Sequence, residues 1–152
     1  MMVTAVHEAG HAAVALYHNL EVTLVTMDPP RTFYGPRDNK LRPDTVIKWG
    51  STMLAGMVAE VMYEKNVPES VEASETDIQV IRNHPLMREN SDEIFRVTWN
   101  LVEVLNPVIM DLSRSLNEKG FLYGKNCERI YMRMVRGGTR SRKEKVPPAM
   151  RV

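Results

Sequence analysis

The feature that most constrains the fold is the stretch TAVHEAGHAAVALYH, residues 4–18, close to the start of the chain. Apolar and small residues recur there at steps of three and four, which predicts a helix over residues 2–18. Because each helical residue turns the chain by about 100°, His7 and His11 lie one turn apart and about 40° from each other. The alanines and the glycine around them leave this face uncrowded. The helix therefore carries two imidazoles side by side.

Two imidazoles in this arrangement can bind one Zn²⁺ ion, which is the chemical meaning of the pattern H-E-x-x-H on a helix. Glu8 points about 60° to one side of His11, within reach of a metal-bound water but not of the metal. Since zinc lowers the pKa of its water from about 15.7 to about 7, such a carboxylate can accept the proton as the water attacks a carbonyl. The alternative is that both histidines are ordinary surface or core residues.

A catalytic zinc usually takes a third protein ligand, and four other side chains are candidates. These candidates are His18, Glu60, Asp77 and His84. His18 follows His11 by about 10.5 Å along the helix, too far for one metal to reach both, and His84 lies in a polar segment where a solvated histidine is expected. The segment SETD, residues 74–77, fits a capping box in which Ser74 starts a helix and Asp77 reaches back to it. Spacing alone does not decide whether Asp77 caps the helix or binds the metal.

The rest of the chain indicates one mainly helical domain with at most a small sheet. Residues 20–27 alternate as a strand does, and the prolines and glycine of 28–44 predict a loop or an irregular edge segment. A loop around Pro68 precedes the third predicted helix. Further helices are predicted over residues 45–65, 74–83, 91–105, 106–120 and 124–135. Residues 1–135 are thus the predicted domain, and residues 136–152 a basic, flexible C-terminal tail.

Charge and cysteine content argue against several classes of protein. With 20 basic and 19 acidic residues the chain has a formal charge of +1, which gives no overall attraction to nucleic acid or to an anionic membrane. No apolar run approaches the roughly 20 residues of a spanning helix. Cys127 is the single cysteine, so a cysteine-based zinc site is excluded and a cytoplasmic location is expected. The basic tail could contact nucleic acid, but a solvated terminus without stacking aromatics is the expected interpretation.

Four segments, in order, resemble one known family. TAVHEAGHAAVAL resembles the zinc-site helix of the FtsH-type AAA membrane proteases, and LAGMVAEVMYEKN resembles their A-G-R-x-A-E-E segment. ASETDIQVIRN is similar to the family's S-N-D-L-x-x-A, whose aspartate is the third zinc ligand. NPVIMDLSRSLNEKGFLYGKNCERI resembles the closing helical segment, so the resemblance extends from about Ala5 to about Ile130.

The resemblance implies a site in which His7, His11 and Asp77 bind zinc and Glu8 is the general base. Glu60 matches the first glutamate after the alanine of the family's second segment, where a helix-surface or buried salt-bridge carboxylate is expected rather than a ligand. The implied fold is an FtsH-type zinc peptidase domain, a helical bundle with a small β-sheet near the active-site cleft. An extended substrate would add to an edge beside that cleft by main-chain hydrogen bonds.

The sequence also departs from this family. Met57 and Val61 stand where the family has arginine and glutamate, and the 152 residues contain neither a Gly-rich phosphate loop nor a membrane segment. The predicted function is therefore an ATP-independent zinc metalloendopeptidase that cleaves peptides or unfolded proteins. An ATPase partner acting in trans and a homo-oligomer are both compatible with it, whereas nucleic acid and membrane partners are not expected. The alternative is a catalytically weak or inactive zinc-containing module that binds peptides or proteins on the same scaffold.

Overall fold

The computed structural model describes residues 2–35, 41–64 and 71–142, with the backbone alone over 71–76 and 137–142. Within these ranges the chain is mainly helical, with one small antiparallel sheet, as the sequence predicts. The elements in chain order are α1 (Met2–Tyr17), β1 (Glu21–Met27), β2 (Pro30–Gly35), α2 (Val46–Glu64), α3 (Val71–Asn83), α4 (Pro85–Glu89), α5 (Ser91–Val104), α6 (Asn106–Lys119), β3 (Phe121–Tyr123) and α7 (Gly124–Arg142). In the described ranges, no helix combines the length and the hydropathy of a membrane-spanning segment.

Helix α1 is the central element of the fold. Every residue from Ala5 to Leu16 is buried, and α1 contacts α2, α5, α6, α7 and the strands β1 and β2. A helix that is enclosed on all sides needs small side chains where its neighbours approach, which accounts for the five alanines and the glycine of this segment. The histidines and Glu8 are therefore carried into the interior of the protein rather than onto its surface.

Helix α2 runs antiparallel to α1 and packs very closely against it. Residues 7 and 11 of α1 meet residues 60 and 52 of α2, respectively. A Cβ atom added at Gly10 would lie 2.7 Å from the carbonyl oxygen of Ala55 and 2.8 Å from the Cβ of Ala59, closer than side chains approach. Gly10 thus allows a backbone approach that any side chain would prevent.

The sheet has the strand order β2-β1-β3, and both strand pairs are antiparallel. Thr32, Val25 and Leu122 are directly opposite one another and form one row across the three strands. Opposite residues of an antiparallel sheet point to the same face. Val25 and Leu122 are 1% and 2% exposed, so the face that carries this row is the one packed on the helices.

Helices α5, α6 and α7 complete the core around α1. Helix α6 buries one apolar stripe, which includes Val108, Leu112 and Leu116, and it ends at Gly120. Gly120 has a φ of +85°, in the left-handed region that glycine adopts without strain, and its N–H donates to the carbonyl of Leu116. This cap directs the chain into β3, which places the third strand beside β1.

The structure corrects several predicted boundaries. Residues 30–35, within the segment predicted as a loop or irregular edge, form strand β2, because a proline is tolerated as the first residue of an edge strand. Helix α3 begins at Val71, so the prediction that Ser74 starts this helix is wrong, although the Ser74 side chain lies outside the described residues. Helix α7 continues to Arg142, beyond the predicted start of the tail at residue 136. Residues 143–152 and the loop around Pro68 lie outside the described ranges.

Candidate metal centre

Two histidines of α1 and Asp77 of α3 meet at one point inside the protein. Nε2 of His7 lies 3.2 Å from Nε2 of His11, and each of these atoms lies 3.4 Å from Oδ2 of Asp77. Both histidines are buried, and the Asp77 side chain is 19% exposed. The structure therefore brings together the three predicted ligands, which form a group that could hold a metal ion.

The other nitrogen of each imidazole is held by an acceptor on α2. Nδ1 of His7 donates to Oε1 of Glu60 at 2.5 Å, and Nδ1 of His11 donates to the carbonyl oxygen of Thr52 at 2.8 Å. Carbonyl and carboxylate oxygens accept hydrogen bonds, so both Nδ1 atoms carry hydrogen, and each Nε2 atom offers a lone pair to a metal ion when its ring is neutral. Metal-binding histidines are commonly oriented in this way. Together with Asp77, two electron-rich nitrogens thus converge on a point that favours a cation.

The same surroundings change the proton affinity of His7. Burial acts to lower its pKa, but the carboxylates of Asp77 and Glu60 outweigh burial and raise the pKa of His7 to about 9. Burial acts to raise the pKa of Asp77, yet the imidazoles of His11 and His7 hold that pKa below its ordinary value. A metal ion that binds here competes with a proton on His7, so metal binding is expected to strengthen as the pH rises.

The spacing of the three donor atoms fits a tetrahedral ion. Ligand atoms about 2.05 Å from a tetrahedral zinc lie about 3.3 Å apart, whereas ligands at right angles would lie about 2.9 Å apart. The observed separations of 3.2 to 3.4 Å agree with the tetrahedral value. Oδ2 of Asp77 is buried and lies 3.4 Å from both Nε2 atoms without a regular hydrogen bond among the described residues, so either a proton on His7 or a metal ion would compensate its charge. The donor set and its spacing therefore fit zinc.

Glu8 lies on the same turn of α1 but is not a member of the group of metal ligands among the described residues. Its side chain is buried, and its Oε1 accepts a hydrogen bond from the hydroxyl of Thr32 at 2.8 Å. The hydroxyl oxygen of Thr32 is also 3.1 Å from the carbonyl oxygen of Glu8. Strand β2 therefore contacts the predicted general base directly, which the sequence did not predict.

Gly56 of α2 makes room for the two imidazoles. A Cβ atom at this position would lie 2.7 Å from Nε2 of His7 and closer still to Nε2 of His11. Thr52, Gly56 and Glu60 recur every four residues, so one face of α2 supplies a carbonyl acceptor, a gap and a carboxylate. This recurrence places the three residues on one face of α2, but the sequence alone does not indicate that this face meets His7 and His11.

An aromatic wall borders the centre on the side of β2. The Tyr34 ring stacks on His11, with 6.5 Å between centroids and 22° between planes. The Trp49 ring stacks in turn on Tyr34, with 6.1 Å between centroids and 30° between planes. Burial, followed by the negative charges of Asp77 and Glu8, raises the pKa of Tyr34, so its hydroxyl keeps its proton.

The remaining candidates lie outside the group of ligands. Glu60 is fully buried and binds His7 as the predicted salt-bridge carboxylate. Nε2 of His18 lies 2.7 Å from the hydroxyl oxygen of Ser51, and burial lowers the pKa of His18 to about 4. His84 is exposed, as predicted. Burial raises the pKa of Cys127 to about 12, so this thiol is a poor nucleophile.

Comparison with models of known protein families gives no match, and no curated protein matches the sequence. The chemistry of the centre is therefore argued from its own residues. They provide two oriented imidazoles, a buried carboxylate oxygen and a second carboxylate on the adjacent position of α1.

Proposed function

We propose that the chain is a zinc-dependent metallopeptidase in which His7, His11 and Asp77 bind the metal and Glu8 is the general base. The observation that carries this proposal is the convergence of three donor atoms at 3.2 to 3.4 Å, with both imidazoles oriented through their Nδ1 atoms. The buried carboxylate of Glu8, on the residue that follows the first ligand, adds to it, because metal-assisted hydrolysis requires a general base near the metal. The mainly helical fold with a small sheet agrees with the resemblance to FtsH-type peptidase domains.

Each residue of the centre has a separate role in the proposed reaction. When bound, zinc lowers the pKa of a water molecule to about 7 and polarises a peptide carbonyl. Glu60 and the Thr52 carbonyl keep the two imidazoles aimed at the metal position. The Glu8 carboxylate takes a proton from the attacking water and gives it to the leaving amine nitrogen. Burial of all these groups strengthens their electrostatic interactions with the reacting atoms.

The proposed substrate is an extended peptide or an unfolded segment of a protein. Strand β2 pairs with β1 on one side and is an edge of the described sheet, so an extended chain can pair with it through main-chain hydrogen bonds. Tyr34, on the inner face of this strand, borders the metal position. The chemistry at the centre itself uses no nucleotide. An ATPase acting in trans, or a homo-oligomer, would extend the range of substrates, and a cytoplasmic location remains part of the proposal.

Peptide cleavage by wild type and Glu8→Gln tests this function. Both proteins are loaded with zinc and incubated with a quenched fluorescent library of unstructured peptides, and zinc content is measured in parallel. We expect wild type to cleave, and Glu8→Gln to retain zinc while its rate falls by about 10²- to 10⁴-fold. Glu103→Gln, which changes an exposed carboxylate on α5, is the matched control and keeps the wild-type rate.

Two results would contradict the proposal. Near wild-type cleavage by zinc-loaded Glu8→Gln would show that Glu8 is not the base. A wild-type protein that binds zinc and peptides but leaves every peptide intact would instead be a binding module on this scaffold.

A further inference from the structure

The inner face of β2 has an unexpected polar residue. Thr32 shares its cross-strand row with Val25 and Leu122, both of which are buried and apolar. The next inner position of β2, Tyr34, is opposite Val22, which is also buried. Packing alone would favour an apolar side chain at position 32, because its neighbours in the row cover the core. The threonine hydroxyl therefore calls for a reason other than packing.

That reason is the contact of Thr32 with both the main-chain carbonyl and the side-chain carboxylate of Glu8. The hydroxyl oxygen of Thr32 lies 2.8 Å from Oε1 of Glu8 and 3.1 Å from the carbonyl oxygen of the same residue. A hydroxyl has one proton to donate, and the shorter distance to a carboxylate oxygen makes Oε1 the principal acceptor. Because one atom of Thr32 is fixed between the main chain and the side chain of Glu8, it limits the rotamers that this glutamate can adopt.

The sheet holds Thr32 itself in place. Its backbone is paired with Val25 in the centre of the sheet, and Val25 is paired with Leu122 on the other side. The row is therefore anchored through three strands, and the position of the hydroxyl is set by the sheet rather than by a loop. A carboxylate on a long, flexible side chain gains a defined direction from such a partner.

We propose that Thr32 is a positioning residue for the general base Glu8, which it holds through Oε1 so that the carboxylate faces the reacting water. The inference rests on the proposed peptidase function. Thr32 is not a member of the group of donors at the centre, and its side-chain hydrogen bonds among the described residues go to Glu8. Removing its hydroxyl should slow the chemical step without weakening zinc or substrate binding, because a carboxylate misplaced by about 1 Å can reduce the rate by about 10²-fold.

The kinetic test compares three variants with wild type. Thr32→Val keeps the branched shape and removes the hydroxyl, Thr32→Ser restores the hydroxyl, and Thr26→Val removes a strand hydroxyl that bonds the turn carbonyl of Pro29 at 2.8 Å. For zinc-loaded Thr32→Val we expect kcat to fall about 10- to 100-fold, with KM within about twofold of wild type and unchanged zinc content. Thr32→Ser should recover most of kcat, and Thr26→Val should match wild type.

A structural test accompanies the kinetic one and needs no activity. In crystal structures of the same proteins we expect the Glu8 carboxylate to keep its position in wild type and Thr32→Ser, and to leave it in Thr32→Val. An unmoved carboxylate in Thr32→Val, or a wild-type kcat in that variant, would overturn the assignment. If wild type cleaves no peptide, the peptidase proposal fails, while the position of Glu8 in Thr32→Val still decides whether Thr32 holds it.

Discussion

Replacing Gly56 by alanine would test how closely α2 supports the metal centre. The new Cβ would lie 2.7 Å from Nε2 of His7 and closer to Nε2 of His11, whereas unstrained contacts begin at about 3.5 Å. Either the imidazoles must turn or the two helices must separate, by about 0.8 Å or more. The bonds of Nδ1 to Glu60 and Thr52 oppose the first movement. Both movements pull the donor atoms away from the separations that fit a tetrahedral ion.

The expected effect on metal binding is large and the effect on folding is small. Protein–zinc distances tolerate changes of about 0.2 Å, and changes in supporting residues commonly lower metal affinity by about 10- to 100-fold. Since the methyl group would enter the centre itself, we expect Gly56→Ala to lose at least about 100-fold in zinc affinity. Crowding in the core costs about 1–3 kcal/mol, and the better helix propensity of alanine offsets about 1 kcal/mol of it.

Zinc affinity is measured by competition with a chromophoric chelator, and stability of the metal-free proteins by urea unfolding. Gly50→Ala is the matched control, because it makes the same change in the same helix and its Cβ would instead meet Ile94, with 2.5 Å to Cδ1. We expect this control to lose stability but to keep its zinc affinity. Wild-type zinc affinity in Gly56→Ala, or an equal loss of affinity in Gly50→Ala, would show that Gly56 does not make room for the metal ligands.

Two further changes test other parts of the centre and of its helix pair. Glu60→Gln keeps an oxygen acceptor for Nδ1 of His7 but removes the negative charge, so the zinc affinity measured by the same competition assay should fall about 10-fold. An unchanged zinc affinity would show that Glu60 does not support His7 as a ligand. His18 has a folded pKa of about 4 against 6.5 unfolded, so its contribution to stability is complete above pH 6.5 and is lost as the pH falls toward 4. Between pH 6.5 and pH 4, urea unfolding should therefore show that wild type loses about 2 kcal/mol more stability than His18→Gln, a figure that allows for the partial exposure of His18. Parallel curves for wild type and His18→Gln would contradict this.

Helix α1 and its two histidines could be predicted from the sequence because the relevant geometry is local. The positions of His7, Glu8 and His11 relative to one another follow from the helical repeat, and the structure has them on one buried helix. The partners of these residues depend instead on how α2 crosses α1. That crossing depends on the close approach at Gly10, which becomes clear only when both helices are seen together.

Asp77 and Thr32 show the limits of local patterns more plainly. The segment around Asp77 fits a helix start, yet α3 begins at Val71, and the aspartate reaches the histidines through the packing of α3. Only the family resemblance favoured Asp77 as a ligand. Prolines around position 30 favoured a loop, but pairing with β1, a contact between two segments, makes residues 30–35 a strand. The contact of Thr32 with Glu8 follows from that pairing.

The most direct test of the central claim is the zinc content of the purified protein beside that of Asp77→Ala. We expect one tightly bound zinc per wild-type chain and a loss of that zinc in the variant, because two imidazoles alone hold the ion weakly. Circular dichroism of both proteins would show that the variant is folded. A wild-type protein without zinc, or an Asp77→Ala protein that keeps zinc at unchanged affinity, would contradict the assignment of His7, His11 and Asp77 as a metal centre.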